Sequence, residues 1–138
     1  MKFYTIGYGG RLPGDFLELL SQHGIKAVVD VRLRPDKASL GSYIKAKTRE
    51  KGIQRLLEER GIEYHSLIEL GNLFIGYTDW DEKYNILIDK VGDLLLSNIQ
   101  HIPIPFCLMC CEKEAAKCHR KIIANYLVKQ GCEVEHIE

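Results

Sequence analysis

The sequence predicts a single three-layer α/β/α domain built on a mostly parallel five-stranded sheet. Three observations lead there. Short β-like runs alternate with longer segments of helical periodicity, in the order β-α-β-α-β-α-β-α-β. Strands separated by helices of that length pair in parallel through right-handed crossovers. One of the runs, "IKAVVDV" (25–31), is nearly all apolar, as a strand covered on both faces must be. The chain has 138 residues, 46% apolar and 28% charged, and no linker rich in Pro, Gly or Ser divides it. That is the size and composition of one globular domain.

The elements follow in order. "KFYTI" (2–6) is a first strand, closed by the glycine-rich "GYGG". In "PGDFLELLSQHG", Phe16, Leu17, Leu19 and Leu20 make a helical apolar stripe and Gly24 caps its end. After the strand at 25–31, a loop with Pro35 and Gly41 leads to a helix expected over 45–60. Ile53, Leu56 and Leu57 form its stripe and Gly61 ends it, while Gly52 weakens its start by about 1 kcal/mol relative to alanine. "IEYHSL" (62–67) alternates as a third strand, and a long loop precedes the helix "DEKYNILIDKVGDLLLSNI". Pro103 and Pro105 punctuate the entry to "FCLMCC", a buried fourth strand. "CHRKIIANYLVKQG" is the last helix, and "CEVEHI" closes the sheet as an edge strand.

Composition excludes several classes. The longest uncharged apolar run covers ten residues and holds two prolines, too short to cross a membrane. The start of the chain lacks the apolar core of a secretion signal, and the five cysteines cluster. Reduced thiols in a cytoplasmic protein are therefore expected rather than a disulfide framework. Net charge is zero, yet residues 26–55 carry an excess of six positive charges and residues 58–100 six negative ones. The first excess permits an anionic small molecule or a nucleic acid as partner, although solvated helix faces are the favoured explanation.

A parallel sheet binds ligands outside the carboxyl ends of its strands. The unusual stretches all fall there: "GYGGR" after strand one, "DVRLRP" at the end of strand two, "LGN" after strand three, and "CCEKEAAKCHR" after strand four. Gly7, Tyr8, Gly9 and Arg11 offer a tight turn with backbone amides for an anion. Gly7-x-Gly9 lacks the third glycine of a dinucleotide fingerprint, because residue 12 is Leu. Asp30 and Arg32 share a face of extended chain, so they pair with each other or together hold an anion.

Residues 106–120 contain four of the five cysteines. Alternation along a strand puts Cys107, Met109 and Cys111 on one face as small buried hydrophobes, and Cys110 on the other at the rim. Cys118 stands at the start of the last helix beside His119 and Arg120, where free amides and the helix dipole favour a thiolate or a bound anion. A metal held by Cys110, Cys118 and His119 would be an open three-ligand site. Consecutive helical residues diverge by about 100°, which weighs against it, and no metal is assigned. No cofactor is indicated, and His23, His101 and His136 are expected to be solvated.

In this order "TIGYGGR", "DVRLRP", "LGN" and "LMCCEKEAAKCHR" resemble the family called domain of unknown function 488, whose pattern runs T-I-G-[HY], D-V-R-x-x-P, L-G-G and L-L-C-x-E…C-H-R. Thr5, Gly7, Tyr8, Asp30, Arg32, Pro35, Leu70, Gly71, Cys110, Glu112, Cys118, His119 and Arg120 fall on that pattern, while Asn72 replaces its second glycine. The resemblance singles out Cys110 and Cys118 among the five cysteines. Together these readings anticipate a thiol-dependent enzyme: Cys110 or Cys118 as the reactive sulfur, His119 or Glu112 moving protons, and Arg11, Arg32 and Arg120 holding an anionic substrate. A binding module without chemistry, or a Cys/His metal protein, are the alternatives.

Overall fold

In the computed structural model, which describes residues 1–138, five parallel strands form one sheet in the order β3-β2-β4-β1-β5. The strands are β1 (Lys2–Gly7), β2 (Ala27–Asp30), β3 (Glu63–Ser66), β4 (Phe106–Cys110) and β5 (Glu133–Ile137). The helices are α1 (Pro13–Gln22), α2 (Gly52–Glu58), α3 (Trp80–Leu95) and α4 (Arg120–Lys129). No helix is long and apolar enough to cross a membrane.

The strand order dictates the layers. From β1 through β2 to β3 the chain steps toward one edge, and from β3 through β4 to β5 it steps back toward the other. Right-handed crossovers in opposite directions place their helices on opposite faces. Phe16, Leu17 and Leu20 of α1 and Ile53, Leu56 and Leu57 of α2 therefore pack with Ile6, Val28, Cys107 and Met109. Tyr84 and Ile88 of α3 and Ile122, Ile123 and Leu127 of α4 pack on the other face with Phe3, Val29, Phe106 and Leu108. Strand β2 is buried along its whole length, as its apolar run requires. The connections after β2 and β4, neighbours in the sheet, leave for opposite faces, and a crevice opens between them.

Two helices differ from expectation. The helix expected over 45–60 occupies only Gly52–Glu58. Gly52 has a φ of +67°, and a β-carbon there would lie 2.0 Å from the carbonyl oxygen of Ile44. The chain folds back on itself at that point, with Lys45 bridged antiparallel to Gly52, so 45–51 cannot be helical. Helix α3 ends earlier than expected, is broken at Val91 (φ −131°, ψ 17°), and is followed by a 3-10 turn over Ser97–His101. Beside the break, the Tyr126 ring of α4 fills the space a side chain at Gly92 would need.

Candidate functional site

The rim of the sheet divides into a closed half and an open half. The closed half lies over β1, β5 and the start of α4. Gly7 pairs with Cys110 across β1 and β4, and a β-carbon on it would sit 1.7 Å from the Glu112 carbonyl oxygen. The Tyr8 amide donates to the Cys110 carbonyl (3.0 Å) and the Gly9 amide to that of Cys111 (2.8 Å). The glycines thus admit the chain after β4, not a ligand, and these two amides are already engaged. Arg11 donates through Nε to the Gly7 carbonyl (2.8 Å) and through Nη2 to that of Glu138 (2.8 Å).

Arg120 also departs from the anion clamp expected of it. It is fully buried, and its guanidinium donates to the carbonyls of Glu112 and Lys113 and to Thr5 Oγ1 (3.3 Å). The Thr5 hydroxyl also forms a hydrogen bond with Nδ1 of His136 (2.6 Å). His136, expected in solvent, is half-buried, and burial followed by the Arg120 charge lowers its pKa. Arg120 is a fastener for the chain after β4.

The open half is a cavity of about 560 Å³ over the ends of β2 and β4. It brings together Tyr8, Arg32, Cys110, Glu112, Cys118 and His119 from the residues singled out by sequence. Arg34, Lys37 and Lys117 add positive charge to its wall, and Ile75 and Trp80 an apolar side. Asn72 lines it too, its Oδ1 accepting from the Phe74 amide (3.0 Å). Cys111, expected on the buried face, is exposed because β4 ends at Cys110, whereas Cys107 and Met109 are fully buried as expected.

Asp30 and Arg32 form a buried pair, 0% and 5% exposed. Arg32 Nε donates to Oδ1 (2.9 Å) and Oδ2 (3.1 Å), and Nη2 donates to Oδ2 (2.7 Å). Asp30 also accepts from the Arg32 amide (3.1 Å) and the Tyr64 hydroxyl (2.5 Å). The Tyr8 ring lies beside the guanidinium, 5.1 Å from its carbon. One group is left over: Nη1 of Arg32 is buried and has no partner. An unmet donor on a buried charge is costly, and a ligand acceptor would relieve it.

The sulfurs come from two elements. Cys110 extends from β4 on the face of Phe106 and Leu108. Cys118 precedes α4 in extended backbone (φ −132°, ψ 145°), and His119 takes the first helical conformation (φ −63°, ψ −18°). Their side chains consequently do not diverge as two helical residues would. Cys118 Sγ accepts from the Arg120 amide (3.5 Å) and lies 3.7 Å from Nδ1 of His119. The Cys110 thiol, donating to Cys118, pulls Cys118 below the ordinary thiol range, and His119 adds to this against the opposing effect of burial. Cys110 is raised by that same donation and by burial. The ligand-type atoms of Cys110, Cys118 and His119 all lie within 4.8 Å of one another.

The family model described as domain of unknown function DUF488 matches residues 13–127. The chain belongs to this DUF488 family. Comparison with curated proteins and with solved structures returned no match. The matched DUF488 span carries the Asp30–Arg32 pair, Cys110, Cys118 and His119. Three contributors were not visible in the sequence reading: Tyr64 behind Asp30, Tyr84 stacked edge-on against His119 (5.2 Å), and Trp80 on the cavity wall. Tyr64 alternates with Ile62 and Ser66 along the expected third strand, a period that signals a face but not a partner.

Proposed function

We propose that this DUF488 protein is a thiol-dependent enzyme acting on a small anionic substrate in the β2–β4 cavity. The observation that carries the reading is the unpartnered Nη1 of Arg32, buried in the wall of the cavity that Cys110 and Cys118 also line. A cavity of about 560 Å³ suits a small molecule. A polynucleotide backbone would meet Arg34 and Lys37 at the surface but not a guanidinium that is 5% exposed.

In this reading the sulfur of Cys118 displaces a leaving group from a substrate held by its anionic end on Arg32. The sulfur's electron pair forms the new bond, and the leaving group departs with the pair of the bond it breaks. Glu112, whose side chain reaches the same cavity, supplies the proton to that group, and water later releases the product from sulfur. Cys110 stands beside Cys118, with the two sulfurs within 4.8 Å of each other.

Alkylation in chelator-treated protein tests this directly. Iodoacetate carries the charge that Arg32 would hold, and iodoacetamide does not. The expected ratio of their rates, mapped by mass spectrometry, is about tenfold higher at Cys118 than at Cys132, which lies outside the cavity, as one charge-assisted contact provides. Arg32→Lys should remove the preference. Equal ratios at both cysteines, or labelling of Cys118 only after denaturation, would rule the reading out.

A further inference from the structure

We infer that Cys110, Cys118 and His119 form a binding site for a soft divalent cation of the zinc class, with its open side on the β2–β4 cavity. The inference goes beyond the substitution chemistry proposed above and stands without it, because it rests on ligand geometry alone.

Three donor atoms within 4.8 Å of one another already satisfy the first demand of such a site. The second is spacing. Tetrahedral bonds of about 2.3 Å to sulfur and about 2.0 Å to nitrogen put those two donors roughly 3.6 Å apart. Cys118 Sγ and His119 Nδ1 are separated by 3.7 Å. No collapse or opening of the site is needed to admit the ion between them.

The imidazole is prepared for this role. Nε2 lies 2.8 Å from the Val31 carbonyl, which can only accept, so Nε2 carries the hydrogen. In the neutral ring the lone pair is then on Nδ1, the atom that faces the sulfurs. A ligating histidine characteristically donates its other N–H to a carbonyl or carboxylate, which fixes tautomer and ring orientation. Tyr84 packs edge-on against the ring, and its hydroxyl is anchored on the Leu70 carbonyl (2.7 Å). The Arg120 amide, donating to Cys118 Sγ, supplies the equivalent support on the sulfur side. Two sulfurs and one imidazole select zinc or another thiophilic metal over magnesium or calcium, which require oxygen.

The cluster has three protein donors and no fourth. Three-ligand sites leave a position for water or a bound molecule, whereas purely structural zinc sites are closed by four. Here all three ligand residues line the same cavity as Arg32, whose Nη1 is buried just behind its wall and has no partner. An anion in the cavity can therefore lie between the cation's open position and the guanidinium. With the cation bound, Cys110 and Cys118 are ligands and are withheld from alkylation.

Cobalt(II) is the probe. Chelator-treated protein titrated with cobalt should take up one ion per chain, with a thiolate-to-cobalt charge-transfer band and the strong visible bands of a tetrahedral ion. Cys118→Ser and His119→Gln should each lose more than the roughly 10–100-fold in affinity that outer-shell changes produce. Cys111→Ser and Cys132→Ser should change nothing. Should a ligand variant fail to fold, zinc added to the unmodified protein still reads the site: one equivalent should slow alkylation of Cys110 and Cys118 about tenfold or more and leave Cys132, outside the cavity, unaffected. Absence of the charge-transfer band, or a band of unchanged intensity and affinity in Cys118→Ser, would overturn the inference. That failure is separable from failure of the enzyme reading, which is decided by the iodoacetate preference of metal-free protein.

Discussion

Two buried arginines, Arg32 and Arg120, stand on either side of β4, and their contrast divides the molecule. Both are at most 5% exposed. Arg120 directs Nε and both Nη groups to oxygens of the fold itself: Thr5, Glu112 and Lys113. Arg32 commits Nε and Nη2 to Asp30 and retains a buried Nη1 with nothing to bind. The same residue type, in adjacent stretches of one rim, fastens a loop in one case and keeps one donor unpaired in the other. What separates them is the count of acceptors the fold provides.

The most severe way to break the contrast is to remove the fastener. Arg120→Met leaves two peptide carbonyls without donors, each worth about 1–3 kcal/mol. The expected loss is about 3 kcal/mol or more, a fall in Tm on the order of 10 °C, measured by thermal denaturation. Gly7→Ala should follow closely, at about 2–3 kcal/mol, because its β-carbon meets the Glu112 carbonyl and backbone must move. Either variant with wild-type stability would show that the closed half does not hold the chain as described.

Arg32→Lys sharpens the other side. The charge opposite Asp30 remains and Nη1 does not, so the expected effect is a loss of about tenfold or more in phosphate affinity, with roughly 1–2 kcal/mol of stability. Isothermal titration and denaturation on the same sample separate the two. A variant that binds phosphate as well as wild type would place anion recognition on Arg34, Lys37 or Lys117 instead.

The smallest effect concerns acid. His136 has a lowered pKa in the folded chain, so the unfolded chain takes up a proton first as pH falls. Its contribution is complete above about pH 6.5 and declines as pH drops below that value toward the folded pKa. Stability of His136→Asn plotted against pH should be flatter through this window than wild type. An identical slope would mean that the burial of His136 beside Arg120 carries no such linkage.

How far the sequence reached depends on what each motif encodes. The order of strand and helix runs encoded the layers, and the two-residue period of a strand encoded the face of Cys110 and put Asp30 and Arg32 on one side, because that period fixes side-chain direction. The glycines and Arg120 were legible as special positions and not as to purpose. A glycine that admits a ligand and one that admits a carbonyl look identical in a chain read one residue at a time. Gly7 and Gly9 receive Glu112 and Cys111, more than 100 positions away, and only the sheet order brings those together. The convergence of Cys118 with His119 was hidden for a related reason. It depends on one extended residue just before a helix, a boundary periodicity does not resolve.

The fastening of residues 112 and 113 has a consequence for how the cavity would take a ligand. Both ends of the segment between Cys110 and Cys118 are held, one by β4 and one by the packed start of α4, and Arg120 ties its early part to β1. The sulfurs and the imidazole are thereby fixed in mutual position before anything enters. Binding then incurs little ordering entropy, and the association rate of an anion should be governed by charge steering at the entrance and not by rearrangement of the loop.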